Sequence, residues 1–154
     1  VSGGQTGVDQ AGLHVAKVLG LDRGGWVPKG RRTEAGPLPP EFEGMTETKT
    51  SSYPERTGLN ISDSDGTLIV AWSPQLTPGS ARTQRVCALS ARACLVACMG
   101  VTDREEVQTW LRATVSARDG ELGIRVLNVA GSRESSSPGI GDAAYKYLLE
   151  VLKP

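Results

Sequence analysis

Three stretches of small polar residues in this chain have the composition of anion-binding turns. They are Ser2-Gly3-Gly4-Gln5-Thr6-Gly7, Thr77-Pro78-Gly79-Ser80, and residues 131–141, which read Gly-Ser-Arg-Glu-Ser-Ser-Ser-Pro-Gly-Ile-Gly. Each sits where an apolar strand-like run hands over to a helical pattern. A helix start leaves backbone N–H groups without intrahelical partners and carries a partial positive charge, so it accepts anions. The candidate contacts are Ser2, Gly3, Gly4, Gln5, Thr6 and Gly7 in the first turn, Gly79, Ser80 and Thr83 in the second, and Ser132, Arg133 and Ser135 in the third. The bland alternatives are a tight strand-to-helix connection capped by Thr6, a plain N-cap at Ser80, and a flexible polar loop. Asp9, inside the first turn of the first helix, complements the helix dipole, or binds a ligand hydroxyl or a metal that the ligand carries.

Lys29, Arg31 and Arg32 form a basic loop whose guanidinium forks match phosphate or carboxylate geometry, against the alternative of a solvated loop. Asp63 and Asp65, one residue apart, suit an acid/base pair or a divalent ion, but also a helix-to-strand turn. Covalent catalysis finds little support. There is no G-x-S-x-G elbow, no P-loop and no G-x-G-x-x-G, and the single histidine, His14, falls in the middle of a helical pattern. Cys94 and Cys98 lie too far apart along one strand for a disulfide, and with Cys87 they read as buried, inert thiols.

The elements that must position these residues alternate. Helical patterns cover residues 7–19, 53–61, 79–92, a segment opened by a Thr102/Glu105 capping box, and a last helix with Ser137 as cap and Pro138 at its first position. In the fourth helix Val107, Trp110, Leu111, Thr114 and Val115 mark the buried face; in the first, Val18 belongs to it. Strand patterns cover 25–27, 45–48, 66–72, 94–99 and 124–129, and the proline- and glycine-rich residues 28–44 form a loop. Strands alternating with helices predict an α/β, Rossmann-like doubly wound fold with a mainly parallel sheet and helices on both faces. Ligands of such folds bind beyond the carboxyl ends of the strands, where all three turns fall.

At 154 residues the chain fits one domain, 1–154, and the near-absence of a strand before the first turn suggests that the natural chain has a few more residues upstream. Seventeen lysines and arginines balance seventeen aspartates and glutamates, which argues against nucleic acid or an acidic membrane as partner. With no spanning or signal segment, the simplest reading is a cytoplasmic protein with an anionic small-molecule ligand.

Several motifs together resemble the family called putative molybdenum carrier, also described as circularly permuted YpsA-like. They are Ser2-Gly3-Gly4-Gln5-Thr6-Gly7-Val8-Asp9, Gly24-Gly25-Trp26-Val27-Pro28-Lys29-Gly30-Arg31-Arg32, Glu47-Thr48, Tyr53, Arg56-Thr57, Asn60 and Asp63-Ser64-Asp65-Gly66-Thr67-Leu68-Ile69. The family lies in a Rossmann-like superfamily that includes the lysine-decarboxylase-like (LOG) phosphoribohydrolases. The resemblance implies a nucleotide- or pterin-type ligand, with the molybdenum cofactor (molybdopterin) as the family's suggestion, and an assembly of at least two subunits. Alternatives are a nucleotide-processing hydrolase and a nucleotide-sensing domain. Two departures matter. Gln10 stands where arginine is expected, and the LOG pattern P-G-G-x-G-T-x-x-E, laid on residues 78–86, meets Ser80, Arg82 and Val86 in place of its second and third glycines and its glutamate.

Overall fold

The structure, a computed structural model, describes residues 1–153. In chain order the elements are α1 (Val8–Val18), β1 (Gly25–Val27), β2 (Arg32–Thr33), β3 (Gly36–Pro37), β4 (Met45–Glu47), α2 (Tyr53–Ser62), β5 (Gly66–Ala71), α3 (Pro78–Leu89), β6 (Ala93–Cys98), α4 (Arg104–Ala113), β7 (Leu127–Gly131) and α5 (Ile140–Val151). The strands β6, β5 and β7 pair in parallel in that order, β1 pairs in parallel with β4, and β2 and β3 form a short antiparallel turn. Val1 and Ser2 join the two parallel groups: the Val129 amide donates to the Val1 carbonyl at 3.0 Å and the Ser2 amide to Gly24 at 3.1 Å.

Every residue of β5 is buried, as a central parallel strand requires. Leu68 and Val70 point into one core with Val8 and Val15 of α1, Val107 of α4, and Ile140, Ala144 and Leu148 of α5. Thr67 faces the other side, where the Asn128 amide donates to its hydroxyl at 3.2 Å. Parallel sheets flanked by helices thus agree with the expected fold class, and the carboxyl ends of β5 and β7 carry the second and third turns.

Five local expectations are corrected. β7 spans Leu127–Gly131 and not 124–129, because the amides of Arg125 and Val126 donate to the Asp65 carboxylate (3.0 and 2.7 Å) and cannot join the ladder. α4 is capped by Asp103, which accepts from the Glu106 amide at 2.9 Å, while the Thr102 hydroxyl accepts from Cys98 instead. α5 starts at Ile140 after a left-handed Gly139, since the Glu134 carboxylate takes the Gly139 and Gly141 amides and so ends the preceding turn there. Val18 and Val115 are exposed, as the apolar stripes of their helices end before them, and Cys94 is only half-buried on the edge strand β6.

Asp65 is fully buried and also accepts from the Ser116 hydroxyl at 2.6 Å, so it serves as a bracket for residues 116–126. Asp63 accepts from the Trp26 indole at 2.7 Å. Burial alone would raise the Asp65 carboxyl, but the bonds from Ser116, Val126 and Arg125 and the charge of Arg118 hold it below the usual carboxylate range. A carboxylate with a depressed folded-state value contributes stability above its unfolded value and loses it as pH falls. Asp65→Ala is expected to cost about 2–4 kcal/mol in urea denaturation near neutral pH. Asp65→Asn is expected to flatten the loss of stability that the parent shows on acidification below about pH 4.

Candidate functional site

A cleft of about 440 Å³ opens at the carboxyl ends of β5 and β7, between the starts of α1, α2 and α3. That volume is in the range of small-molecule sites, roughly 300–1,000 Å³. All three turns reach it. Gly3, Gln5 and Asp9 come from the first, Gly79 and Thr83 from the second, and Ser132, Arg133 and Ser135 from the third.

The other eight expected residues do not line this cleft. Ser2 is buried and donates to the Val129 carbonyl at 2.8 Å. Gly4 and Gly7 turn the backbone with positive φ; at Gly7 a Cβ would lie 2.4 Å from the Ser132 carbonyl oxygen, so only glycine permits this approach. Thr6 donates to Glu34 and accepts from the Glu134 amide. Ser80 is buried and accepts from the Thr77 hydroxyl. Lys29 is exposed in a 3₁₀ turn. Arg31 clamps the loop by donating to the carbonyls of Leu38, Pro39 and Phe42. Arg32 stands at the border of the cleft, over the Tyr53 ring.

The first turn satisfies much of its own backbone. The Gln5 amide donates to Asp9 Oδ2 at 3.3 Å, the Thr6 amide to Gln5 Oε1 at 3.0 Å, and the Val8 amide to the Ser132 carbonyl at 3.2 Å. At Gly3 the free space is filled by Arg56, whose Nη1 would lie 1.4 Å from an added Cβ. The Glu134 carboxylate occupies the start of α5. α3 opens without a side-chain cap, and no carboxylate among the described residues takes its first amides.

Sequence reasoning passed over several lining residues: Tyr53, Arg56, Thr57, Asn60, Arg82 and Asn128. Four of these stood inside the family motifs, which was the signal available. Arg56 donates from Nη1 to Asp9 Oδ2 at 2.7 Å, and both side chains are largely buried, 13% and 5% exposed. Its Nε and the Gln5 Nε2 are buried without hydrogen-bond partners. Burial pushes the Asp9 carboxyl up, against the pull of Arg56, the Gln5 amide and Arg133. Arg82 is exposed and pairs with no carboxylate among the described residues. The lining therefore has three arginines against one acid, and that acid is engaged.

Two departures from the family pattern take structural form. Gln10 folds back to donate to the Gly4 carbonyl at 3.2 Å, and Val86 is a half-buried apolar residue within α3.

The sequence profile described as the circularly permutated YpsA SLOG family matches residues 1–152. A crystal structure named "Putative molybdenum carrier protein", from Syntrophus aciditrophicus SB, superposes with a TM-score of 0.82 at 36% identity, over 98% of this chain and 92% of that one. No functionally curated protein matches.

Removing Arg56 leaves a buried carboxylate without its cation. Arg56→Leu is expected to lose about 3–5 kcal/mol near pH 7. Because a raised carboxyl favours its neutral form, the deficit relative to the parent is expected to shrink on acidification to about pH 5. Urea denaturation at both values checks the sign.

Proposed function

The chain belongs to the circularly permutated YpsA SLOG family, and on that premise we propose that it is a carrier for an anionic ligand of nucleotide or pterin type, the molybdenum cofactor included. The observation that carries this reading is the convergence of three glycine/serine turns on one cleft with surplus positive charge. The open start of α3, with Gly79 and Thr83, and the side chain of Arg82 would receive a phosphate. Ser132, Arg133 and Ser135 would close over it. The Gln5 amide nitrogen, Asp9 Oδ1 and the Asn128 amide offer the mixed donors and acceptors that a heterocycle's edge needs. The relative named for molybdenum carriage supports the pterin member of this class. The buried Gln5 and Arg56 donors without partners fit a ligand rich in acceptors.

Carriage is favoured over hydrolysis by the acids present. Val86 places an apolar side chain where the LOG pattern has glutamate, and Asp9, the single carboxylate of the lining, already accepts from Arg56 and Gln5 through Oδ2. A hydrolase would need Asp9 as its acid or base.

Calorimetric titration with AMP, ADP-ribose and molybdopterin, with products followed by chromatography, separates the readings. Tight binding without release of base or phosphate is expected. Turnover abolished by Asp9→Asn would establish the hydrolase instead. Arg82→Ala, which breaks no internal ion pair, is expected to weaken the ligand that binds by roughly tenfold or more while leaving thermal stability unchanged. An unaltered affinity would remove α3 from the site.

A further inference from the structure

Tyr53, the first residue of α2, borders the cleft and is surrounded by arginines from three separate segments. The guanidinium carbon of Arg32 lies 4.6 Å from its ring centroid, that of Arg133 5.2 Å, and that of Arg56 5.8 Å. Each cation is attracted by the ring face, but the ring carries no net charge to cancel theirs. Only Arg56 has a close counter-ion, Asp9 at 2.7 Å. Arg133 reaches Glu34 at 4.0 Å, and Glu34 is already committed to Thr6 and Ser135. Arg32 donates to the Ser51 carbonyl at 3.0 Å and pairs with no carboxylate among the described residues. Like charges gathered this closely repel unless an anion sits among them.

A second observation points the same way. Arg56 Nε and Gln5 Nε2 are buried donors without acceptors beside this cluster. The orientation of the Gln5 amide is fixed, since its Oε1 already accepts from the Thr6 and Glu34 amides at 3.0 and 2.9 Å. Buried donors in native proteins are nearly always paired, so these two call for acceptors from outside the protein, a water or a ligand oxygen.

We propose that Arg32, Arg133 and the Tyr53 ring form a second anion subsite at the mouth of the cleft, and that the ligand carries two linked phosphoryl groups. One occupies the start of α3 with Arg82 and Thr83, and the other lies between Arg32 and Arg133. The inference rests on the reading of the cleft as an anion site and narrows it to diphosphates, as found in nucleoside diphosphates and in pterin dinucleotides. A phosphate monoester fills only the inner position.

Calorimetric titration with inorganic phosphate and with pyrophosphate tests this directly. Pyrophosphate is expected to bind at least tenfold more tightly. Arg32→Ala, an exposed residue with one hydrogen bond to lose, is expected to weaken pyrophosphate by roughly tenfold and to leave phosphate within about twofold, with an unchanged melting temperature. Equal affinity for the two anions, or an equal loss for both in the variant, overturns the second subsite and leaves the inner site standing. Failure of both to bind at millimolar concentration overturns the anion cleft as well. ADP against AMP, and a pterin-linked diphosphate against its monophosphate, show which source supplies the diphosphate. The proposal requires the diphosphate of at least one pair to bind more tightly than its partner, and equality in both pairs overturns it.

Discussion

The carboxylate of Asp9 is buried at the floor of the cleft, and the guanidinium of Arg56 is what makes that burial tolerable. An isolated charge out of water costs several kcal/mol, so the pair must form for either side chain to occupy its place. Its formation has geometric consequences. Arg56 crosses from α2 to α1, and its side chain lies over the backbone of Gly3. The first turn is therefore shaped to admit a side chain from its own protein. Glycine at this position, read naively as access for a phosphate, is explained first by access for arginine. The pair also fixes the start of α2 against the start of α1, which sets the width of the cleft between them.

The same economy of charge governs the other helix starts. At α1 the amides are taken by Gln5, Asp9 and the Ser132 carbonyl; at α5 they are taken by Glu134. Glu34 then ties the loop after β2 to Thr6 and to Ser135, so that the third turn is held close to the first. Burial raises the Glu34 carboxyl, but its bonds from Ser135 and Thr6 and the charge of Arg133 outweigh this and hold it low. Two of three helix dipoles are thus answered within the protein. The third, at α3, faces the cleft beside Arg82, which pairs with no carboxylate among the described residues. Three similar turns in sequence are unequal in structure, and what separates them is which one has a carboxylate or carbonyl of its own nearby.

That distinction explains what was legible in the sequence. The alternation of strands and helices was, because periodicity and helix-stopping residues such as Gly20 are local properties. The convergence of the three turns was also legible, since parallel α/β topology puts every strand's carboxyl end on one edge. The start of β7 was not, because it is decided by Asp65, about sixty residues away, which takes the amides of Arg125 and Val126. Nor was the division of labour among the arginines. Arg31 and Arg32 are neighbours of identical type, yet one is folded inward to hold three carbonyls and the other lies on Tyr53. Only tertiary placement tells them apart. Arg56 and Tyr53 stood inside the motifs that carried the family resemblance, but with no chemical reason attached until the buried pair and the ring contacts supplied one.

Magnitudes then decide which parts of the cleft can confer useful affinity. A helix start contributes about 0.3–1 kcal/mol to holding an anion, and about 2 when partly buried. A micromolar dissociation constant needs roughly 8 kcal/mol. One open helix start therefore cannot make a carrier. Hydrogen bonds to charged groups contribute about 1.5–3 kcal/mol each, so a few arginine contacts close most of the gap. On the proposed reading the guanidiniums around the cleft would supply most of the affinity, and the glycine turns would bring them together without filling the space. This also bears on chemistry. A site that surrounds a ligand with cations and engages its only carboxylate in an ion pair stabilises bound anions in the ground state. Binding of that kind lowers a dissociation constant without lowering a barrier. On the proposed carrier reading, Arg56, Arg82 and Arg133 would hold the anion, while Asp9 keeps only Oδ1 outside its bonds to Arg56 and the Gln5 amide.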